Sequence, residues 1–573
     1  MTNFADKYSV EKVLQIHQDL RNDRSEWEAE WRKISDWLLP GRGIYQTYTK
    51  PPKRKLTNKN IINPAGEDAL NVLVSGLYGR MSSPSMPWFK FTWPAHLQGI
   101  EPLVAWLQES QKLTNAGMLS SGYYSVLEGF YTEFCGYGTA SDYTGSDSDD
   151  PLIPFNFELL TAGEYCFAKT KAGATDSFIR TLFMSQKQLV DEFGADKVSD
   201  STKKAVNENI AGIHKVDRAV IELTVKDTYK DKPYGRVFYE VTGADSANRS
   251  PRLHSVPLRT DGFYECPYTV STWGKIGQDT YGVGLGSRSI PDIRRLQEME
   301  KAFLMATHKS IEPPLNAPAK MKGKLNSLPG AKNYYANPAE VVTPLYNVNF
   351  DFSGVSAAVQ RVEERIQRNF FNEVFLTASR DPNASPLKAA QVHNTQSEQM
   401  YRLAPVVEKL YMEKFTPQLK RCFNIMLRKG MFPPLDPALA ELAEDFSVTL
   451  VSPLATSLLT LQGQNTDKFM SYVGAMAQFD PEAIDNVNID ESIAERARIE
   501  GVDYGVLRKS DDRDAIRKNR AAMQQEQARK EEGMQALERG GVINNQDANT
   551  KKLNAESGAI LAETFATANT LPI

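Results

Sequence analysis

The chain is poor in the signatures of chemistry. Its 573 residues hold four cysteines, Cys135, Cys166, Cys266 and Cys422, far apart and with no C-x-x-C pair. A disulfide framework and a thiolate zinc site are therefore set aside. There is no G-x-x-x-x-G-K-[ST], which removes a P-loop ATPase, and no G-x-S-x-G. Six histidines, His17, His96, His214, His254, His308 and His393, lie scattered without H-E-x-x-H or any paired spacing, as surface or core histidines do. The charge shows no basic excess: 67 Lys and Arg against 71 Asp and Glu give a net −4 and a pI near 6.0. A protein that grips DNA statically needs that excess, because phosphate neutralisation drives such binding. Any contact with DNA is expected to be loose. The longest uncharged run, Phe446 to Thr466, contains Pro453 and many Ser, Thr and Gln, too polar for a membrane span. The first residues lack a basic-then-apolar leader pattern, and synthesis in the cytoplasm is expected.

Two apparent sites weaken on inspection. The acidic stretch Asp142 to Asp150 suggests a calcium loop with Asp147 first, Asp149 third and Glu158 twelfth, but Pro151 and Leu152 stand at positions five and six. It reads as a solvated acidic hairpin. Gly282-Val-Gly284-Leu-Gly286 lacks the apolar strand that a dinucleotide site needs in front of it, and reads as a flexible joint.

What is present is a large α+β chain, mainly helical, long enough for several domains. Helices are expected over Val10–Leu39, Ala65–Met81 and Leu103–Gly136. The aromatics Tyr123, Tyr124, Phe130, Tyr131 and Phe134 of the third are core candidates. The basic segment 43–60, with Lys50, Lys53, Arg54, Lys55 and Lys59, reads as a solvated loop, with phosphate contact as its functional alternative. Strands dominate from Gly138 to about Thr272. The organising stretch runs from Gly284 to Pro417. Ser289 is expected to cap a helix with Pro291 in its first turn and Asp292 closing the box, and Pro313-Pro314 to stop it. A Pro- and Lys-containing insert follows, then a helix from Ser353 with Val355, Val359, Val362, Ile366 and Phe370 at helical spacing. The polar loop 377–385 leads into a third helix opened by Pro386. Further on, 456–497 reads as two short helices, Asp511–Arg539 as a charged helix with a thin apolar seam, and 540–573, alone, as disordered. By residues alone, the organising stretch fits any helical hairpin.

Particular strings narrow this. Asn63-Pro-Ala-Gly-Glu-Asp-Ala-Leu, Ser75-Gly-Leu-Tyr-Gly-Arg-Met-Ser-Ser-Pro-Ser-Met-Pro-Trp-Phe89, Tyr137-Gly-Thr-Ala140 and Ala162-Gly-Glu-Tyr165 follow one another in order. Tyr264-Glu-Cys-Pro-Tyr268, Tyr281-Gly-Val-Gly284 and Pro291-Asp-Ile-Arg-Arg-Leu-Gln-Glu-Met-Glu-Lys301 continue the series. Together they resemble the head-to-tail connector, or portal, proteins of short-tailed phages, over roughly residues 10 to 430. Ser385-Pro-Leu-Lys-Ala-Ala390 departs from the Thr-Ala-x-Glu that relatives often carry.

The resemblance implies a portal fold with an α/β wing (1–288), a two-helix stem (289–312 and 353–371), an α/β clip (313–352) and a tunnel loop (372–385). A long helix then returns to the wing (386–455), followed by a helical crown (456–510) and a C-terminal helix and tail (511–573). It implies a ring, usually a dodecamer, at one capsid vertex of the virion. Double-stranded DNA passes the channel, pumped by a terminase and later ejected. Tail adaptor proteins, the major capsid protein and scaffold or internal core proteins are the expected partners. No enzyme activity, cofactor, metal or membrane contact is expected. Since tight phosphate contacts would resist sliding, isolated cations suit the channel. Arg380 and Lys388 are the tunnel-loop candidates, and Lys320, Lys322 and Lys324 the clip candidates. A nucleic-acid-processing enzyme with a dispersed metal site and a generic helical scaffold are the competing readings.

Overall fold

The computed structural model describes residues 4–568 apart from 44–57, 98–99, 147–149, 151, 172, 245–250, 320–324, 327, 329, 335–336, 339–340, 346–350, 377–401, 441–445, 453–468, 477–486, 494–507 and 509. The chain divides into two units, Met1–Pro481 and Glu482–Ile573.

The first unit opens with α1 (Phe4–Lys7), α2 (Val10–Trp37) and α3 (Ala65–Met81), the last two close to expectation. Strand β1 (Phe89–Thr92) follows. The expected helix 103–136 is in fact two, α4 (Glu101–Ser120) and α5 (Tyr123–Gly136). The break falls at Gly122, whose φ of +73° suits glycine and ends a helix. All five aromatics singled out on α5 are buried.

The strand-rich region is as expected in kind, and richer in number. Strands β2 (Thr139–Gly145), β3 (Asn156–Leu160) and β10 (Tyr268–Thr272) form one antiparallel sheet in the order β10-β2-β3. Strands β4 (Tyr165–Lys169), β5 (Thr175–Ser185), β6 (Val216–Val225), β7 (Tyr234–Ala244) and β8 (Pro251–Leu253) form another in that order, with β9 (Arg259–Phe263) also paired to β7. Between β5 and β6 lie α6 (Gln186–Phe193) and α7 (Asp200–Asn207). A capping box starts α6: Ser185 Oγ accepts from the Gln188 amide at 3.2 Å, and Gln188 accepts from the Ser185 amide at 2.8 Å.

Helix α8 (Leu285–Ile311) leads to the small pair β11 (Leu315–Asn316) and β12 (Thr343–Pro344). Then come α9 (Phe352–Asn369), capped by Asp351, and α10 (Asn372–Leu376). A long helix returns as α11 (residues 402–410), a π turn (Tyr411–Phe415) and α12 (Thr416–Arg428). After α13 (Pro437–Ala440), β13 (Ser447–Leu450) pairs antiparallel with β1, a pairing the sequence did not suggest.

The expected solvated acidic hairpin is corrected at its start. Asp142 lies in β2 with no solvent exposure, paired at 2.5 Å to Lys414 of the π turn, which is equally buried. Asp142 also accepts from Gln418 at 2.7 Å and from the Thr269 hydroxyl. The Lys414 ammonium stands 3.7 Å from the centre of the Phe130 ring. Burial pulls the Lys414 pKa down, and Asp142 pulls it back up. A single added residue per π turn re-aims side chains: Glu413 reaches Lys169 and Thr272 while Lys414 reaches β2.

In the second unit, residues 489–493 form a short helix and Ser510–Ala568 one continuous helix of 59 residues. The stretch read as disordered beyond Gly540 is therefore helical to Ala568. Its alanines, with Leu, Lys, Gln and Glu, favour that state, although its Asn and Thr favour it less and each glycine costs about 1 kcal/mol.

Candidate functional site: a helix pair anchored at one end

The pair α8–α9 corresponds to the organising stretch, and its expected apolar line is present. Ile293, Leu296, Val362 and Ile366 are buried, with Met299 and Val359 packed partly against the same core. Phe303 meets Phe352 edge to face, ring centres 5.9 Å apart.

The start of α8 differs from the sequence reading. The helix begins at Leu285 behind Gly284, not at Ser289; Ser289 is buried inside it and Pro291 lies within it. The reason is the glycine run, which is a tight packing site rather than a joint. A Cβ on Gly284 would come within 2.5 Å of the Gly138 nitrogen, and one on Gly286 within 2.3 Å of the Gly136 carbonyl oxygen. Gly138 itself has φ +86°. Two backbones touch here, and only glycine allows it. Asp292, expected to close a capping box, instead forms an ion pair with Arg365 of α9.

A polar clamp fixes the lower part of the pair. Gln297 of α8 accepts from the Ile62 and Asn63 amides at 2.7 and 2.9 Å and donates to the Asn63 carbonyl at 2.8 Å. The Asn63 side chain donates to Glu300 of α8 at 3.0 Å and to Glu363 of α9 at 2.7 Å. Thus the residues that lead into α3 hold both helices at once. Arg294 lies over Trp37 of α2, 5.5 Å from the ring centre.

The upper part has no such fixing among the described residues. Leu304 is 43%, Met305 50% and Ile311 72% exposed. Leu315, Leu345 and Phe352 are exposed beside them in sequence or pairing. Large apolar side chains exposed in one part of the chain are candidates for contact with another protein.

Of the residues singled out for DNA or partner contact, Arg380 and Lys388 lie outside the described residues, as do Lys320, Lys322 and Lys324. The first five residues of the expected tunnel loop form α10, packed on α3; 377–385 are outside the described part. The Asn63 clamp and the buried Asp142–Lys414 pair were missed from sequence, although Asn63 stood in the resembling string.

Comparison with known proteins shows the family of the chain. The family model described as bacteriophage head to tail connecting protein matches residues 10–507. The chain belongs to that family. It is 28% identical over 532 residues to the "Probable portal protein" of Bordetella phage BPP-1, covering 91% of this chain and 93% of that one. It is also 28% identical over 526 residues to the "Portal protein" of Salmonella phage epsilon15, covering 90% and 92%. Among solved structures, a chain of the neck of a native gene transfer agent particle matches with a TM-score of 0.36 at 8% identity, over 76% of this chain and 92% of that one. The connector is thus a structural protein of the phage virion, and its mixed, mainly helical architecture is that of the expected fold class.

Proposed function

We propose that this connector closes into a ring, a dodecamer, around a channel for double-stranded DNA. DNA enters under a terminase and leaves at ejection. Residues 1–288 form the wing, 289–312 and 353–371 (most of α8 and α9) the stem, 313–352 the clip, 372–385 the tunnel loop, 386–455 the long helix returning to the wing, 456–510 the crown and 511–573 its extension. The clip faces terminase and tail adaptor proteins; the outer surface faces major capsid protein and scaffold or internal core proteins. The chain carries out no catalysis of its own.

The observation that supports this reading best is the unequal helix pair. Its lower half is sealed within one subunit, and its upper half presents Leu304, Met305, Ile311 and Phe352 to solvent. Burying such side chains against neighbours yields about 25 cal/mol per Å², and a head-to-tail contact that closes repeats that gain around a ring. The near-neutral chain suits DNA that must slide, and Arg380, Lys388, Lys320, Lys322 and Lys324 supply cations that touch and release.

Mass photometry of the purified chain tests the ring, with negative-stain images to show a central hole. A stable monomer under all assembly conditions overturns it. Arg380→Glu with Lys388→Glu is expected to leave rings intact and impair packaging; unchanged packaging removes the tunnel-loop assignment. Metal-dependent DNA cleavage by the chain alone would favour the enzyme reading.

A further inference from the structure

The bend between α9 and α10 is built on a residue that resists it. Phe371 has φ +56°. Glycine is the ordinary occupant of that left-handed position after a helix, and a bulky side chain there is an outlier. The Phe371 amide donates to the Arg368 carbonyl at 3.1 Å, and its own carbonyl accepts from the Val374 amide at 3.0 Å. The chain turns once and re-enters helix at Asn372. No glycine or proline lies between Asn369 and Leu376, so local preference alone would carry α9 straight on.

Backbone strain of this kind persists only where the surroundings impose it. Here α3 imposes it at three levels. The Asn372 side-chain nitrogen, oriented toward them, donates to the Ala69 carbonyl at 2.8 Å and to the Phe370 carbonyl at 3.2 Å. The Phe375 ring rests on Gly76, where a Cβ would come within 2.3 Å of it. Arg80 lies 5.5 Å from the centre of the same ring and donates to the Val374 carbonyl at 3.4 Å. Beside this seat is an open groove of about 660 Å³, lined by Asp68, Asn71, Val72, Ser75 and Gly79 of α3. Among the described residues, no packed side chain fills the groove beside the ring.

We propose that this corner is a two-position latch. In the latched position Phe375 sits on Gly76 and Phe371 is held left-handed. Released, Phe371 relaxes to helical φ and α9 runs unbroken to Leu376, about 10 Å longer at the helical rise per residue. Release changes the direction in which Leu376 hands the chain on to the proposed tunnel loop. That consequence rests on the portal reading; the latch itself does not.

Spin labels on Ser356→Cys and Leu376→Cys read the latch, in a Cys266→Ser background because the other three cysteines are buried. Labelled chain is diluted with unlabelled chain so that distances are internal to one subunit. A straight helix places the labels about 30 Å apart, and the latched corner brings them closer. Gly76→Ala evicts the ring while favouring α3 itself, since alanine is the better helix former. It is expected to raise the population near 30 Å about tenfold, and Phe375→Ala, which empties the seat from the other side, to do the same. Adding Phe371→Gly to Gly76→Ala is expected to restore the short distance, because glycine holds a positive φ without strain. The latch is overturned if neither seat variant lengthens the distance, or if Phe371→Gly fails to shorten it again. A chain that forms no ring yet shows these shifts loses the portal reading and keeps the latch.

Discussion

Along α8, Leu285, Gly286, Ser289, Ile290, Ile293, Leu296 and Gln297 are buried, whereas no residue from Leu304 to Ile311 is. The two halves share one helix and similar apolar content, so propensity does not separate them. Their surroundings do. The lower half meets touching glycines, Gln297 bonded around Asn63, and Asn63 bonded to Glu300 and Glu363. Among the described residues the upper half has no comparable clamp, and Phe303 meets Phe352 of α9. In the proposed ring, one end makes the subunit and the other is left for contacts between subunits.

The contrast breaks most visibly if the fixed end is not what holds the subunit. Lys414→Ala leaves the buried Asp142 carboxyl without its ammonium partner. It should cost about 3–5 kcal/mol in urea unfolding of the subunit, as removal of one partner of a buried pair does. Next, Leu296→Ala at the fixed end of α8 should cost about 2–5 kcal/mol, as other buried leucines do. A loss below 0.5 kcal/mol in either would place the stability elsewhere.

A pH measurement sharpens the same point. Burial, then the charges of Arg24 and Arg21, hold His17 of α2 at about 3, below its ordinary 6.5. Between those values the native state binds fewer protons than the unfolded chain. Stability is therefore full above pH 6.5 and is lost as pH falls, by about 2 kcal/mol at pH 5. Glu133, pushed up to about 7 by burial and drawn back by Arg42, acts in the opposite sense over part of that range. The comparison with His17→Gln, measured at pH 7 and pH 5, isolates the histidine: the variant should lose about 2 kcal/mol less on acidification. The smallest effect on the subunit is expected at the free end. Leu304→Ser with Met305→Ser should change subunit stability by no more than about 0.5 kcal/mol while abolishing ring formation in mass photometry.

Local patterns were legible in the sequence where a single element's own periodicity decides them. Helices α2, α3 and α9, the buried aromatics of α5 and the α8–α9 apolar line all follow from spacing. Features that depend on a distant partner were not. Asp142 looks solvated until Lys414 is placed beside it, and β13, at the start of the uncharged run 446–466, gives no strand signal of its own until β1 pairs with it. The start of α8 was misplaced because Ser289-Ile-Pro-Asp carries every local mark of a cap, while the real start is dictated by backbone contact with Gly136 and Gly138. Phe371 gives no local signal at all, since its conformation is imposed by α3. The cations proposed for DNA contact rest on the resemblance alone.

The pairing of β1 with β13 has a consequence for how the chain is made. Phe89 to Thr92 leave the ribosome early, yet their hydrogen-bond partners, Ser447 to Leu450, are translated some 350 residues later. At roughly 5–20 residues per second that is a wait on the order of 20–70 s. Throughout it, the Trp88 ring lacks its Phe415 neighbour and the Phe91 ring its Phe423 and Phe446 neighbours. Overproduction should therefore strand partly made chains through this aromatic edge, and slower synthesis at low temperature with abundant chaperone should improve the soluble yield.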